Sequence, residues 1–230
     1  MKNRIAPILI AVSILLGGCV TAPQTPIELT QDTLSAKSGR VGVAMTMLPK
    51  VDTHLLGANC LLCYAAAAAA NSSLTTHAKT LPYEDLPKLQ NDVVDMLRKK
   101  GTDAIVITEP IDVNKLAKNG TKGPNIAIKD FTSLKTQYMV DKLLLIDITT
   151  LGFLRTYSSY IPTSDPQAVL QGSGYLVNLN NNTYEWYMPV NITKSSDKNW
   201  DEPPQFPGLT NAYYQVLELG KDYYLKPFRN

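Results

Sequence analysis

Residues 168–192 read AVLQGSGYLVNLNNNTYEWYMPVNI, and this stretch decides the fold. Two β-rich runs, Ala168 to Asn178 and Thr183 to Ile192, alternate around the turn-prone Asn180-Asn181-Asn182, which is the pattern of an antiparallel hairpin. Working back, Lys142 to Thr150 (KLLLIDITT) reads as a strand and Ile128 to Val140 as a helix. Ala104 to Thr108 is a short β-branched strand closed by Glu109-Pro110. Asp85 to Lys100 is an amphipathic helix with Leu86, Leu89, Val93, Met96 and Leu97 on one face. Asp85 is placed to cap it, Pro87 suits its first turn, Arg98, Lys99 and Lys100 sit at the negative end of the dipole, and Gly101 ends it. Arg40 to Leu48 (RVGVAMTML) is an opening strand stopped by Pro49. Forward of the hairpin, a polar, Pro-rich loop (Lys194 to Gly208) leads to a helix over Leu209 to Leu219. The order β-α-β-α-β-β-β-α predicts an α/β (α+β) chain. An early β-α-β unit and a late antiparallel meander share a mixed sheet with helices packed on it.

The N-terminus carries a different signal. Lys2 and Arg4 precede an apolar stretch, Ile5 to Leu16, followed by Leu16-Gly17-Gly18-Cys19. Positive flank, short apolar stretch, small residues and cut site are the layout of a secretory signal peptide. The stretch is too short for a permanent span, which needs about 20 residues. The last four residues resemble the lipobox of bacterial lipoproteins. That resemblance implies cleavage after residue 18 and a diacylglycerol and acyl chain on Cys19, with no other cofactor. Val20 stands where an aspartate would favour inner-membrane retention. The expectation is therefore an outer-membrane anchor with the chain facing the periplasm. Residues 19–39, rich in Thr, Pro, Gln and Ser, read as a flexible tether with a reach of about 25 Å. Residues 40–230 are read as a single periplasmic domain.

Of 22 basic and 20 acidic residues, Lys2 and Arg4 lie in the signal, so the processed chain is formally neutral. No Lys/Arg run supports nucleic-acid binding.

Three cysteines are present. With Cys19 taken by lipid, Cys60 and Cys63 remain, in the segment LLGANCLLCY followed by six alanines, Ala65 to Ala70. Three readings are open. In an oxidising compartment the pair forms a structural disulfide. At a helix start it would also suit a redox-active dithiol, although the flanks are unlike those of thioredoxin-type enzymes. With His54 and His77 it would offer zinc-compatible ligands at an unfamiliar spacing. The alanine run is a strong helix former, either buried beneath the sheet or serving as a subunit or membrane contact, with Leu61, Leu62 and Tyr64 at its start. Arg155 to Tyr160 (RTYSSY) reads as a polar aromatic loop, placing Arg155, Tyr157 and Tyr160 on a candidate interaction surface.

Catalytic motifs are missing from the sequence: there is no P-loop, HExxH or GxSxG. Ser195-Ser196-Asp197-Lys198 matches S-x-x-K without its companion motifs. Asp147 and Glu185 are isolated carboxylates, so paired acid–base work finds no support. No catalytic residue and no metal ligand set is assigned. Trp186 and Trp200 lend little to a glycan-binding reading.

The opening strand ending at Leu48-Pro49, the helix–strand pair and the string Gly174-Tyr175-Leu176-Val177-Asn178-Leu179…Tyr184-Glu185-Trp186 resemble envelope lipoproteins built on a TolB amino-terminal-like fold. That group includes the curli secretion-channel lipoprotein, the Pel export lipoprotein, activators of penicillin-binding proteins and an uncharacterised family of periplasmic lipoproteins. Asn178 stands where the group usually has aspartate. The resemblance, over roughly residues 40–192, implies a non-enzymatic accessory or scaffold role in a cell-envelope assembly or export complex. Its partners would be the membrane through the lipid, and other envelope proteins or a second copy. The alternative is thiol–disulfide exchange by Cys60 and Cys63.

Overall fold

The computed structural model describes residues 24–35 and 38–229. Residues 1–18 and Cys19 lie outside them. Along the described chain come β1 (Val41–Met45), β2 (Asp52–Leu56), α1 (Leu61–Ala70), α2 (Ser72–Ala78), α3 (Leu89–Lys99), β3 (Ala104–Val106), α4 (Ser133–Tyr138), β4 (Lys142–Ser158), β5 (Ile161–Pro162), β6 (Gln167–Asn178), β7 (Thr183–Ser195) and α5 (Pro207–Leu225). The sheet order is β3-β1-β4-β6-β7, with β2 and β5 also pairing with β4. β1 runs parallel to β3 and β4, whereas β6 runs antiparallel to both its neighbours, β4 and β7. This is the expected mixed sheet with helices on it.

β4 is the spine. Its first half is buried on both faces, which is why it reads as a continuous apolar run rather than an alternating one. Leu144, Ile146 and Ile148 face the main core beneath α3 and α5, while Leu143 and Leu145 face a second core with Phe131, Leu134, Tyr175 and Val177. β1 covers Lys142–Ile146, and β2 then takes the same side of β4 over Gly152–Thr156. The handover needs Gly152. Its φ is +129°, and a Cβ there would lie 2.0 Å from the Asp52 carbonyl oxygen. Gly174 has a packing reason instead: a Cβ would sit 2.6 Å from Cη2 of Trp186, which is buried against Phe228.

The hairpin register follows the sequence pattern, pairing Val177 with Tyr184 and Asn178 with Thr183. The expected helix over 85–100 begins as a 3-10 turn at Leu86–Lys88, where Pro87 lies, and continues as α3. Asp85 makes no side-chain cap bond, but Gly101 does adopt the left-handed conformation (φ +85°) that closes a helix.

Five expectations change. The helix over 128–140 shrinks to α4, because Met139 turns left-handed (φ +52°) and residues before Ser133 bridge to neighbouring loops. The C-terminal helix is longer than 209–219: Gly220 does not stop it but lets α5 approach Leu170 closely. β2 is an additional strand. The RTYSSY loop is mostly strand, since β4 runs to Ser158 before turning into β5. The part of the tether over 24–35 is not free chain. Ile27 exchanges backbone hydrogen bonds of 2.9 and 3.1 Å with Tyr187, Leu29 and Leu34 pack on the main core, and Lys142 Nζ donates to the Thr33 carbonyl at 2.8 Å. Two leucines and an open β7 edge suffice to hold this segment down.

Candidate functional site

The far end of β4 carries the structure's most exposed apolar surface. β2 ends at Leu56, and Gly57 (φ +88°) turns the chain away; a Cβ there would lie 2.0 Å from the Tyr157 carbonyl oxygen. Cys60 then caps α1, its Sγ accepting from the Cys63 amide at 2.9 Å. Cys60 and Cys63 form a disulfide with Cα atoms 4.9 Å apart. α1 touches the domain along one narrow stripe: Cys63 and Ala67, one helical turn apart, meet Ala58, Tyr157 and Leu55. The rest of the helix faces outward. Leu61 is 86% exposed and Leu62 80%, with Tyr64 above half. Across the tip, Tyr160 and Ile161 at the β4–β5 turn are 65% and 60% exposed, and Leu56 joins them. The alanine helix is therefore not buried beneath the sheet.

The tip is also without formal charge. No Asp, Glu, Lys or Arg occurs between Asp52 and Lys79, nor between Arg155 and Asp165. Monomeric proteins rarely leave large apolar side chains clustered in water unless they meet something there.

Four of the expected surface residues, Leu61, Leu62, Tyr64 and Tyr160, do lie on this tip. Tyr157 and Arg155 do not. Tyr157 is 7% exposed, and its hydroxyl accepts from Asn71 Nδ2 at 2.6 Å. Arg155 donates to Asn71 Oδ1 (3.1 Å) and to the Ser164 carbonyl (3.1 Å), and its guanidinium stacks 4.7 Å from the Trp200 ring centroid. Both belong to the brace that ties the end of α1 to β4, because the chain there is strand with one face turned inward. Leu56 and Ile161 were missed; their one signal was apolar residues flanking turn positions.

The zinc reading fails on geometry. His54 Nε2 lies 3.2 Å from the Leu151 carbonyl, and His77 Nε2 lies 2.6 Å from Thr210 Oγ1. Among the described residues no group of three or more His, Cys, Asp or Glu side chains is placed to hold a metal.

The two isolated carboxylates have separate settings. Glu185 pairs with Lys142 at 2.6 Å and accepts from Asn178 Nδ2 at 2.8 Å, so an amide at position 178 is a donor that an aspartate could not replace. Asp147 lies where β1 has left β4 and β2 has not begun. It lines a cavity of about 510 Å3 with Thr46, Met47, Pro110 and Asn114. Burial pushes its carboxyl above the usual range, and a 2.9 Å bond from Thr46 Oγ1 opposes the shift. Ser195 ends β7 and accepts from Gln167 Nε2 at 2.8 Å.

No helix among the described residues is long and apolar enough to cross a membrane. No family model matches the chain. No curated protein matches it. Solved structures do show likeness. The Paraburkholderia phytofirmans PelC dodecamer is 10% identical, covering 90% of this chain and 95% of that one, with a TM-score of 0.33. A Xanthomonas campestris protein of the DUF330 family model is 12% identical, covering 89% and 94%, with a TM-score of 0.35. The Neisseria meningitidis lipoprotein GNA1162 is 12% identical, covering 78% and 98%, with a TM-score of 0.28. Likeness at these scores assigns neither family nor function to this chain.

Proposed function

We propose that this chain is a lipoprotein anchored through Cys19 to the outer membrane, facing the periplasm. In this reading it is a non-enzymatic accessory or scaffold component of a cell-envelope assembly or export complex, and it works by contact. The observation that carries the reading is the uncharged apolar tip, where Leu61 and Leu62 stand almost fully in water. Such side chains gain little by standing alone and much by meeting a surface, roughly 1.5–3 kcal/mol for a leucine fully buried. The lipobox and the envelope-lipoprotein resemblance of the sequence support the same reading. The test is a photo-crosslinking amino acid placed at Leu62 in living cells, with Met139, exposed at the opposite end of β4, as control. Discrete adducts from position 62 alone are expected. No adduct from position 62, or the same pattern from both, overturns the contact role.

A second reading has one observation in its favour. Cys60 is exposed at the start of α1 and its sulfur already accepts a backbone hydrogen bond, while Cys63 is buried. A thiolate at Cys60 would be stabilised there. Thiol–disulfide exchange requires a reduction potential in the range of known oxidoreductases; a value below about −300 mV marks a structural bridge and ends this reading.

A further inference from the structure

We infer that the tip formed by Leu56, Leu61, Leu62, Tyr64, Tyr160 and Ile161 docks directly into the headgroup–acyl boundary of a lipid bilayer. This rests on the envelope-anchored reading above and names the surface that the tip meets. Three observations carry it.

The first is composition. Three leucines and an isoleucine are exposed there together with two tyrosines, whose hydroxyls can remain in the wet layer. This is the distribution that suits a membrane interface, where aromatic rings with one polar end are favoured. The absence of charge from residues 53–78 and 156–164 removes the main penalty for approaching hydrocarbon.

The second is backbone satisfaction. Entry into the interface costs least where few N–H and C=O groups are left unbonded. Here Cys60 takes up the Cys63 amide through its Sγ and the Tyr64 amide through its carbonyl, and Ser158 faces Ile161 in the β4–β5 pairing, which leaves the first amides of α1 for the wet headgroup layer. The disulfide holds the start of α1, so the two leucines are presented without ordering a loose loop.

The third is the direction of the N-terminal chain. Ile27 pairs antiparallel with Tyr187 on the β7 edge, and the chain then runs to Thr33 beside Lys142, at the start of β4. β7 itself runs toward the tip, because Thr183 is level with Asn178 and Ser195 with Gln167, which pairs with Leu154. The residues preceding Ile27 therefore enter from the tip side. The described residues before Ile27 thus lead back along β7 toward the tip, the course that suits a bilayer at that end of β4.

The experiment uses the processed protein purified from membranes and reconstituted in vesicles of phosphatidylethanolamine and phosphatidylglycerol, with and without doxyl-labelled lipid. Leu61→Trp is compared with Met139→Trp, and the wild-type spectrum is subtracted to remove Trp186 and Trp200. Both positions are exposed, so neither change disturbs the core. The expected result is quenching of Leu61→Trp by at least about twofold with a blue shift, and no quenching at Met139→Trp. Equal quenching at both positions, or none at position 61, overturns the inference. A blue-shifted but unquenched Leu61→Trp, with a solution mass above one chain, overturns it in favour of a second copy on the tip. Intact mass of the same sample reads the anchor separately. An acylated chain with an unquenched tip refutes the inference alone, and an unacylated chain with a quenched tip refutes the anchor alone.

Discussion

The disulfide supports a quantitative prediction. Cys60 and Cys63 are three residues apart, so the bridge closes a loop of only four residues. The chain-entropy relation gives about 1.9 kcal/mol for a loop of that size at 25 °C. Cys60 has a second role, because its sulfur accepts the Cys63 amide at the start of α1. Serine can take over that role and alanine cannot; losing a cap costs about 1 kcal/mol. Two double variants separate the terms. Cys60→Ser/Cys63→Ala should lose about 2 kcal/mol, and Cys60→Ala/Cys63→Ala about 3 kcal/mol. Both also lose the buried Cys63 sulfur, which cancels in their difference. In a chain of this size the first loss lowers Tm by roughly 4–8 °C. The assay is urea unfolding followed by circular dichroism, with thermal scans in parallel. If the Ser/Ala variant matches the wild type within about 0.5 kcal/mol, the bridge does not constrain the unfolded chain as reasoned. If the two variants are equal, Cys60 is not a working cap.

Three further outcomes are expected. Asp147→Asn should become more stabilising as pH rises from about 4 to about 7: burial raises the folded carboxyl pKa, so the wild type is favoured below the unfolded value and loses that advantage as pH climbs through the folded one. A gain independent of pH in urea midpoints contradicts the burial argument. Gly152→Ala should lose about 3 kcal/mol or more, because strained φ and overlap with Asp52 act together, whereas Gly101→Ala, with φ +85° and open space, should lose only about 1–2 kcal/mol; equal losses would mean that β2 need not press on β4. Tyr184 is pushed up to about 12 by burial, and Tyr175, Tyr213 and Tyr224 are raised too, so stability should fall as pH rises above about 10. Tyrosinate absorbance should then appear together with unfolding; a gradual, independent titration of these tyrosines refutes their burial.

What the sequence revealed follows from how local each signal is. The hairpin around Asn180-Asn181-Asn182 and the amphipathic face of α3 are set by near neighbours and were legible. β2 was not: DTHLL is five residues whose partner, Gly152–Thr156, lies about a hundred positions downstream, and only that pairing makes it a strand. The same long-range pairing turned Arg155 and Tyr157 inward and left Tyr160 at the turn. The alanine run was legible as helix but not as exposed, because alanine is apolar wherever it sits. The contact with Tyr157 decides that only Cys63 and Ala67 are covered. The end of α5 was not legible: the helix continues through Gly220, where the missing side chain makes room for Leu170.

The most direct test of the anchored reading is the intact mass of the chain recovered from the membrane fraction of cells expressing it from Met1. The expected result is a chain that begins at Cys19 and carries a diacylglycerol and an additional acyl group. It should pellet with outer membranes and resist high-salt extraction. A chain that retains residues 1–18, or one that begins elsewhere without lipid and is released by salt, contradicts it.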